Sequence, residues 1–383
     1  MYKSVIFDFD GTICDTGEGV KKSAKYALDA FNIPSDDWQT LDCFIGPPLL
    51  VTFQEQFNQS AADADLLVQK FRERYTNTGI YECELYNGIK QLLINLKDDG
   101  MKIGIASSKP QVFVETLLNK FAIAKYFDSV CATSFAADCE SKQNIIARCL
   151  KELETEPNRF YDIDGAKADM VDGAGVLWGY GSKFEFIECG AKYIVDKVED
   201  IESIALGLYE RTEKVNGIYN GRVLTMHVDD VLLCNDQRAN RECVDHPGGV
   251  AVIGVTDDDM VVLVRQFRYP YKETIYEIPA GKLEKGEDPF EAGKREFKEE
   301  TGGVAEEYIS LGEIYPSPGY TNEIIRLYAA KNITFEEQNL DDDEFLQVCQ
   351  ISFDELIRRI MSGEIKDAKT IAAAFKLKEL MNK

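Results

Sequence analysis

The chain has 383 residues, long for one domain and comfortable for two. Hydrophobic residues make up 45% and charged residues 29%, a globular mixture that argues against disorder. The formal net charge of -24 excludes a polyanionic surface as the main partner, so neither nucleic acid nor an anionic membrane is expected. A phosphate-bearing small molecule stays open, because clustered carboxylates bind Mg²⁺ and the metal then meets the phosphate. The ten cysteines are scattered, with no CxxC pair, and neither His227 nor His246 has a second zinc ligand beside it in sequence. They read as reduced thiols packed as small hydrophobes.

The opening MYKSVIFDFDG runs straight into a strand, so no targeting segment is expected there. No apolar run approaches the roughly 18 residues needed to span a bilayer, and a cytoplasmic protein is expected. SVIFDF (4–9) and KIGIAS (102–107) are short, apolar and bounded by turn residues, which predicts buried strands. Helical spacing lies between them at 19–30 and 61–75. GVLWGYGS (175–182) reads as a further strand ending in a glycine-rich loop. Strands alternating with helices imply a parallel sheet. The texture then changes between Ala205 and Asn216, so the spacing predicts domains 1–207 and 208–383. In the second, 248–269 reads as two strands around the acidic turn Asp257 to Asp259. A helix at 289–301, a strand at 324–330 and helices at 352–361 and 367–381 follow. That pattern is an α+β domain with a mixed sheet.

Residues 281–302 read GKLEKGEDPFEAGKREFKEETG. Asp288-Pro289 is a helix start, and Gly302-Gly303 stops the helix. Phe290, Gly293 and Phe297 share one face. Glu296, Glu299 and Glu300 share another, where like charges repel by roughly 0.2–0.5 kcal/mol per pair unless a cation bridges them. Alone, the triplet could be a solvated acidic face. The segment, however, fits G-x5-E-x7-R-E-U-x-E-E-x-G through Gly281, Glu287, Arg295, Glu296, Phe297, Glu299, Glu300 and Gly302. On these residues the C-terminal half resembles the Nudix hydrolases. VRQFRYP (264–270), YEIPAGKLEKGE (276–287), YPSPGYTNE (315–323), HPGGVAVI (246–253) and GEIKDAKT (363–370) look like the ADP-ribose pyrophosphatase branch.

The resemblance implies Mg²⁺, or Mn²⁺, held by Glu296, Glu299 and Glu300 with the carbonyl of Ala280. Arg295 would orient the glutamates and Glu287 would support the turn before the helix. The catalytic base is expected at Glu344, with Asp343 the nearest rival. Arg265, Arg268 and Glu277 are candidates for holding the phosphates and the terminal ribose, arginine being suited to bidentate phosphate contacts. Relatives of this branch pair as homodimers through exchanged strands, which would involve residues 216–235.

In the N-terminal half, Asp8 and Asp10 stand two apart in DFDGT at the end of an apolar strand. DxDGT in that place resembles the haloacid-dehalogenase-like phosphatases, phosphoglycolate-phosphatase-like members above all. IGPPL (45–49), LYNGIKQLL (85–93), IASSKP (105–110) and GVLWGYGS carry the likeness further. The expected fold is Rossmann-like α/β, with a helical cap at about 16–80. Asp8 would attack phosphorus and Asp10 serve as general acid/base, while Ser107 and Lys142 hold the transferring group. Asp8, Asp10 and Asp162 would bind Mg²⁺. The fourth motif departs from the pattern: Asn158 falls where an aspartate belongs, and the apolar strand before Asp162 reads as missing or worn. Asp164 with Asp169 is the alternative ligand pair. An incomplete carboxylate set weakens Mg²⁺ binding.

The expected function is hydrolysis of ADP-ribose to AMP and ribose 5-phosphate, beside a phosphomonoesterase weakened at its metal site. The rival is a binding module that senses ADP-ribose without turnover, with the N-terminal half as a dock.

Overall fold

The computed structural model describes residues 2–134, 140–154, 159–162 (backbone), 172–340 and 344–381. The chain divides into two compact units: Met1–Arg211 with Leu232–Gln237, and Thr212–Val231 with Arg238–Lys383.

The first unit begins with β1 (Ser4–Phe7), every residue of which is buried. A short ladder of β2 (Cys14–Asp15) with β3 (Glu84–Leu85) brackets helices α1 (Gly17–Ala30), α2 (Leu49–Phe57) and α3 (Ala61–Asn77). Then come α4 (Ile89–Asp98), β4 (Lys102–Pro110), α5 (Gln111–Lys120), β5 (Ser129–Thr133) and α6 (Lys142–Glu152). The unit closes with β6 (Arg159–Asp162), β7 (Asp172–Val176), α7 (Lys183–Glu188), β8 (Tyr193–Val195) and α8 (Val198–Leu206). The sheet order is β5-β4-β1-β6-β7-β8, with every pairing parallel. β1 therefore lies between strands that run off to opposite sides, which opens a crevice at the carboxyl ends.

One expectation is corrected here. The strand before Asp162 is present as β6, pairing Ser4 to Ile6 on one side and Asp172 to Ala174 on the other. Its residues, Arg-Phe-Tyr-Asp, lack the aliphatic run that usually marks a buried strand. Two neighbouring parallel strands supply the pairing that local apolarity does not signal, and aromatics suit a pleated surface. The expected strand at 175–182 is shorter and earlier: β7 stops at Val176, and the rest leaves the sheet as a loop.

The second unit holds β9 (Arg211–Asn220), β10 (Thr225–Leu232) and β11 (Arg238–Asp245) in a three-stranded sheet. A seven-stranded mixed sheet follows. It comprises β12 (Gly249–Val255), β13 (Met260–Arg268), β14 (Glu273–Glu277), β15 (Ala280–Lys282), β16 (Gly303–Ile314), β17 (Ile325–Phe335) and β18 (Leu346–Ser352). Its path is β14-β13-β12-β17-β16, with β15 on β12 and β18 on β13. β12 is buried at every residue because helices cover both faces of the sheet. Helix α9 (Pro289–Thr301) packs Phe297 against Val252, Val262 and Ala330. Helices α10 (Phe353–Met361) and α11 (Ala368–Met381) contribute Leu356, Ile360, Ala373 and Leu377 to a separate core with Ile253 and Leu263. Among the described residues no helix is long and apolar enough to cross a membrane.

Phe297 is fully buried, so Phe297→Ala leaves a cavity beneath α9. The expected cost is about 3–5 kcal/mol. Denaturant unfolding followed by a probe in the C-terminal unit checks it; a loss below about 1 kcal/mol would show that α9 is not anchored there.

Candidate active sites

In the C-terminal unit the turn before α9 and the helix itself build one site. The Asp288 carboxylate accepts the N–H groups of Phe290 and Glu291 at 3.0 and 3.1 Å, and Pro289 sets the first helical φ. Gly302 ends the helix at φ 70°. Between these caps the Arg295 guanidinium acts as a hub. It donates to both oxygens of Glu287 (2.9 and 3.1 Å), to Glu296 Oε1 (2.9 Å) and to Glu299 Oε2 (2.9 Å). Glu287 also accepts from the Glu284 N–H at 2.9 Å, which fastens the turn. Arg295, with the Glu284 N–H, holds the Glu287 carboxyl below the usual range.

Glu300 is different. It is 3% exposed, and its carboxylate accepts from the Ala280 N–H at 3.1 Å. Burial pushes its carboxyl up to about 8, and the charges of Glu344, Glu296 and Glu277 add to that. Burial raises Glu296 as well, against the pull of Arg295. Glu344, just ahead of β18, thus reaches the same site. Asp343 lies outside the described residues. Gly281 has a steric reason: a Cβ there would stand 1.8 Å from Glu296 Cδ, so only glycine lets this carboxylate lie against β15.

Arg268 and Arg265 separate. They are three apart on β13, so the period of two sends them to opposite faces. Arg268 forms a bidentate pair with Glu277, at 2.6 and 2.9 Å, and the Glu300 charge reaches it. Arg265 instead lies 5.1 Å from the Tyr276 ring, which also faces Arg359 at 5.3 Å. The two candidate arginines thus occupy different faces of β13, and Arg268 is the one beside Glu277. Glu277 is 1% exposed, and besides Arg268 it takes the Lys369 ammonium, itself held by Asp367 at 2.8 Å. Lys369 and Asp367 belong to GEIKDAKT but received no role from the sequence. Only their docking through Thr370, which accepts the Ile278 N–H at 2.9 Å, brings them beneath the site.

Hard oxygen donors around a buried carboxylate that lacks a counter-cation fit Mg²⁺ or Mn²⁺. Glu296, Glu299, Glu300 and the Ala280 carbonyl would hold the ion.

In the N-terminal unit the crevice gathers Asp8, Asp10, Ser107 and Lys142. Lys142 opens α6, where the Ser141 hydroxyl caps the helix, and its Nζ is 2.7 Å from Asp8 Oδ2. The Phe9 N–H donates to Asp8 Oδ1 at 2.7 Å. Asp10 Oδ1 accepts from Thr16 and, at 2.9 Å, from Lys109. Lys109 is 8% exposed, its N–H meets Ser107 Oγ at 3.2 Å, and its Nζ lies 5.1 Å from the ring of Tyr75 on α3. Burial works against its charge, yet the Asp10 carboxylate keeps the net shift upward. Sequence reasoning passed over Lys109, although it stands in the IASSKP segment already singled out.

The loop after β7 closes on DFDGT. The Trp178 Nε1–H donates to the Thr12 carbonyl at 3.1 Å, and the Tyr180 hydroxyl accepts the Gly17 N–H at 2.7 Å. A Cβ on Gly179 would lie 2.0 Å from the Gly11 oxygen. The register of β6 sets Asp162 one residue beyond Tyr161, the partner of Ile6, hence at the same end of the sheet as Asp8. Its side chain, and Asn158, Asp164 and Asp169, lie outside the described residues.

Two family models match this chain: a haloacid dehalogenase-like hydrolase over residues 5–174 and a NUDIX domain over residues 245–374. An ADP-ribose pyrophosphatase of Bacillus subtilis is 42% identical over 168 residues, covering 43% of this chain and 91% of that protein. A 5'-nucleotidase of Pseudomonas aeruginosa is 34% identical over 191 residues, 48% of this chain and 86% of that protein. A crystal structure of a predicted phosphatase from Clostridium acetobutylicum superposes with a TM-score of 0.51 at 34% identity. It covers 54% of this chain and 99% of that one.

Glu300 supplies a pH test. Its carboxyl stays neutral in the fold until pH approaches about 8, whereas in the unfolded chain it ionises from about pH 4.5. Rising pH between those values therefore costs stability. In EDTA, Glu300→Gln should unfold later than wild type by a margin that widens from about pH 5 to pH 8. Saturating Mg²⁺ should close the gap. A margin independent of pH would refute the buried, unpaired state of this carboxylate.

Proposed function

The chain belongs to the haloacid dehalogenase-like hydrolases through its N-terminal half and to the Nudix hydrolases through its C-terminal half, and on that premise we propose that the Nudix unit converts ADP-ribose to AMP and ribose 5-phosphate with Mg²⁺. Hydrolysis of nucleotide-sugar pyrophosphates is the activity that the Nudix domain and its ADP-ribose pyrophosphatase relative support. The observation that carries the finer reading is Glu300, a buried carboxylate beside Glu296 and Glu344 with no cation of its own. Mg²⁺ bound there would neutralise phosphate charge and make a water acidic enough to attack phosphorus. Glu344 accepts the proton of that water. Arg268, oriented by its bidentate pair with Glu277, would bind the diphosphate, and Lys369 also holds Glu277. Arg295 stops Glu296 and Glu299 from splaying apart. The dimeric arrangement through residues 216–235 belongs to the same proposal.

For the N-terminal unit we propose a phosphomonoesterase acting on the AMP that the Nudix unit releases; the relative named 5'-nucleotidase supports that substrate class. Asp8 attacks phosphorus, and Lys142 and Ser107 hold the phosphoryl oxygens. Asp10, positioned by Lys109 and Thr16, protonates the leaving oxygen and later takes a proton from water. Mg²⁺, carried by Asp8, Asp10 and Asp162, would screen the charge of the phosphate.

Incubating the purified protein with ADP-ribose separates the steps. Wild type with Mg²⁺ should yield ribose 5-phosphate, adenosine and free phosphate; EDTA should stop all three. Glu300→Gln should slow the first cleavage by about 10²-fold or more, consistent with losing a catalytic carboxylate. Asp8→Asn should halt the sequence at AMP. AMP without adenosine from wild type would sink the second step alone. Unchanged turnover in Glu300→Gln would sink the first, and intact binding with no turnover in wild type would favour a sensor.

A further inference from the structure

We propose that the three-stranded sheet of β9, β10 and β11 carries a site for a borderline divalent metal ion of the zinc class, held by His227, Asp229 and Cys243, with Asp245 holding the far nitrogen of the imidazole. The sequence separates these residues into His-x-Asp and Cys-x-Asp, sixteen positions apart. Pairing of β10 with β11 removes that separation. Because strand side chains alternate, each x residue points away and the outer two share a face.

One ligand atom each from His227, Asp229 and Cys243 lie within 4.8 Å of one another, the one such trio among the described residues. His227 Nδ1 is 2.7 Å from Asp229 Oδ1, and its Nε2 is 3.3 Å from Asp245 Oδ2. Ligands about 2.0–2.3 Å from a tetrahedral zinc stand roughly 3.3–3.8 Å apart, so the His227–Asp229 contact would open and the wider separations in the trio would close, each by about 1 Å.

Asp245 steadies the imidazole from its other nitrogen. Its second oxygen accepts from Asn322 Nδ2 at 2.7 Å. The Asn322 N–H in turn donates to the Val244 carbonyl at 3.2 Å, and the Val244 N–H to the Tyr320 carbonyl at 2.7 Å. A carboxylate on the far ring nitrogen, itself fixed by an amide from another segment, is the outer-partner arrangement that positions a metal-bound histidine. An imidazole with a carboxylate at each nitrogen can give one nitrogen to the ion and keep the other on a carboxylate.

The competing arrangement is a protonated His227 between two carboxylates with no metal. That ladder has no use for a thiol. Cys243 is what selects a metal, and it also selects which one. Thiolate with imidazole and carboxylate suits zinc, cobalt or nickel, whereas the all-oxygen set around Glu300 suits magnesium. Three protein ligands leave the fourth position to water, and the ion would act as a clip tying β10 to β11. Its binding releases the Cys243 thiol proton and any proton on His227 to solvent.

Cobalt reports thiolate ligation directly. Metal-free full-length protein titrated with Co²⁺ should develop a thiolate-to-cobalt charge-transfer band in the near ultraviolet that saturates at one equivalent and is displaced by Zn²⁺. Asp8→Asn and Glu300→Gln should keep the band, since neither magnesium site contains sulfur. Cys243→Ser should abolish it while the far-ultraviolet circular dichroism stays that of wild type. His227→Gln should retain some band but weaken Co²⁺ binding beyond the roughly 10–100-fold typical of an outer partner. No band at one equivalent in wild type overturns the proposal. So does a band that survives in Cys243→Ser, because another cysteine would then be the ligand.

Discussion

Glu300 is buried, and among the described residues the donor to its carboxylate is the Ala280 N–H of β15. Much of the C-terminal unit is arranged around that carboxyl group, which burial keeps from ionising until about pH 8. A buried carboxylate with no cation is expensive, and a fold tolerates it only where the surrounding packing forces it. Here the forcing is visible. Phe297 locks the rotation of α9, and three residues later the same helix must aim Glu300 at β15. Gly281 removes the Cβ that would push Glu296 out of the same space. Arg295 compensates the more exposed part of the acidic face by holding Glu287, Glu296 and Glu299 together. What it leaves uncompensated is the deepest carboxylate. Charge is therefore missing at one point of the site, where a divalent ion with oxygen ligands fits.

The N-terminal unit meets the same problem in the opposite way. Asp8 and Asp10 each have a lysine: Lys142 comes from the start of α6 and Lys109 from the end of β4. Lys109 stands on β4, which pairs with β1, and Lys142 opens α6, which precedes β1's other neighbour β6, so the parallel sheet delivers acid and base to one crevice. Its charges are balanced internally and do not demand a cation as Glu300 does. Lys109 also meets Tyr75 of α3, tying the acid/base carboxylate to a helix of the proposed cap. On the functional reading given above, a magnesium ion would be structurally urgent in one unit and an added screen in the other.

How much of this could be read from residues alone depends on whether the determinant is local. The cap at Asp288, the stop at Gly302 and the three-four spacing of Glu296, Glu299 and Glu300 are local, and the helix runs from Pro289 to Thr301 as the spacing predicts. β6 is not local: Arg159 to Asp162 has no aliphatic run, and its pairing with β1 and β7 makes it a strand. Arg265 shows the opposite limit. Its likeness to a phosphate-binding arginine was legible, but the face it occupies depends on the parity of its distance from Arg268 along β13. Lys109, Lys369 and Asp367 stood in segments already marked by resemblance. Nothing in those segments said which residue would turn inward. The cluster at His227 was the least legible, because its two halves are joined only by the pairing of β10 with β11.

Donor chemistry keeps the proposed metal sites apart without any need for differences in shape. Glu296, Glu299, Glu300 and Glu344 offer oxygen alone, so the ion they favour exchanges readily and keeps room for water and phosphate. The Asp8 crevice also offers oxygen alone, but beside two lysines, and a phosphate dianion there already finds positive charge. Cys243 with His227 offers sulfur and nitrogen, and an ion taken there is held by softer donors than the glutamates supply. A chain with net charge -24 attracts every divalent cation over its whole surface. Selectivity must therefore come from the few positions where burial, softness or an existing lysine changes what a carboxylate prefers. Glu300, Cys243 and Lys109 are those positions.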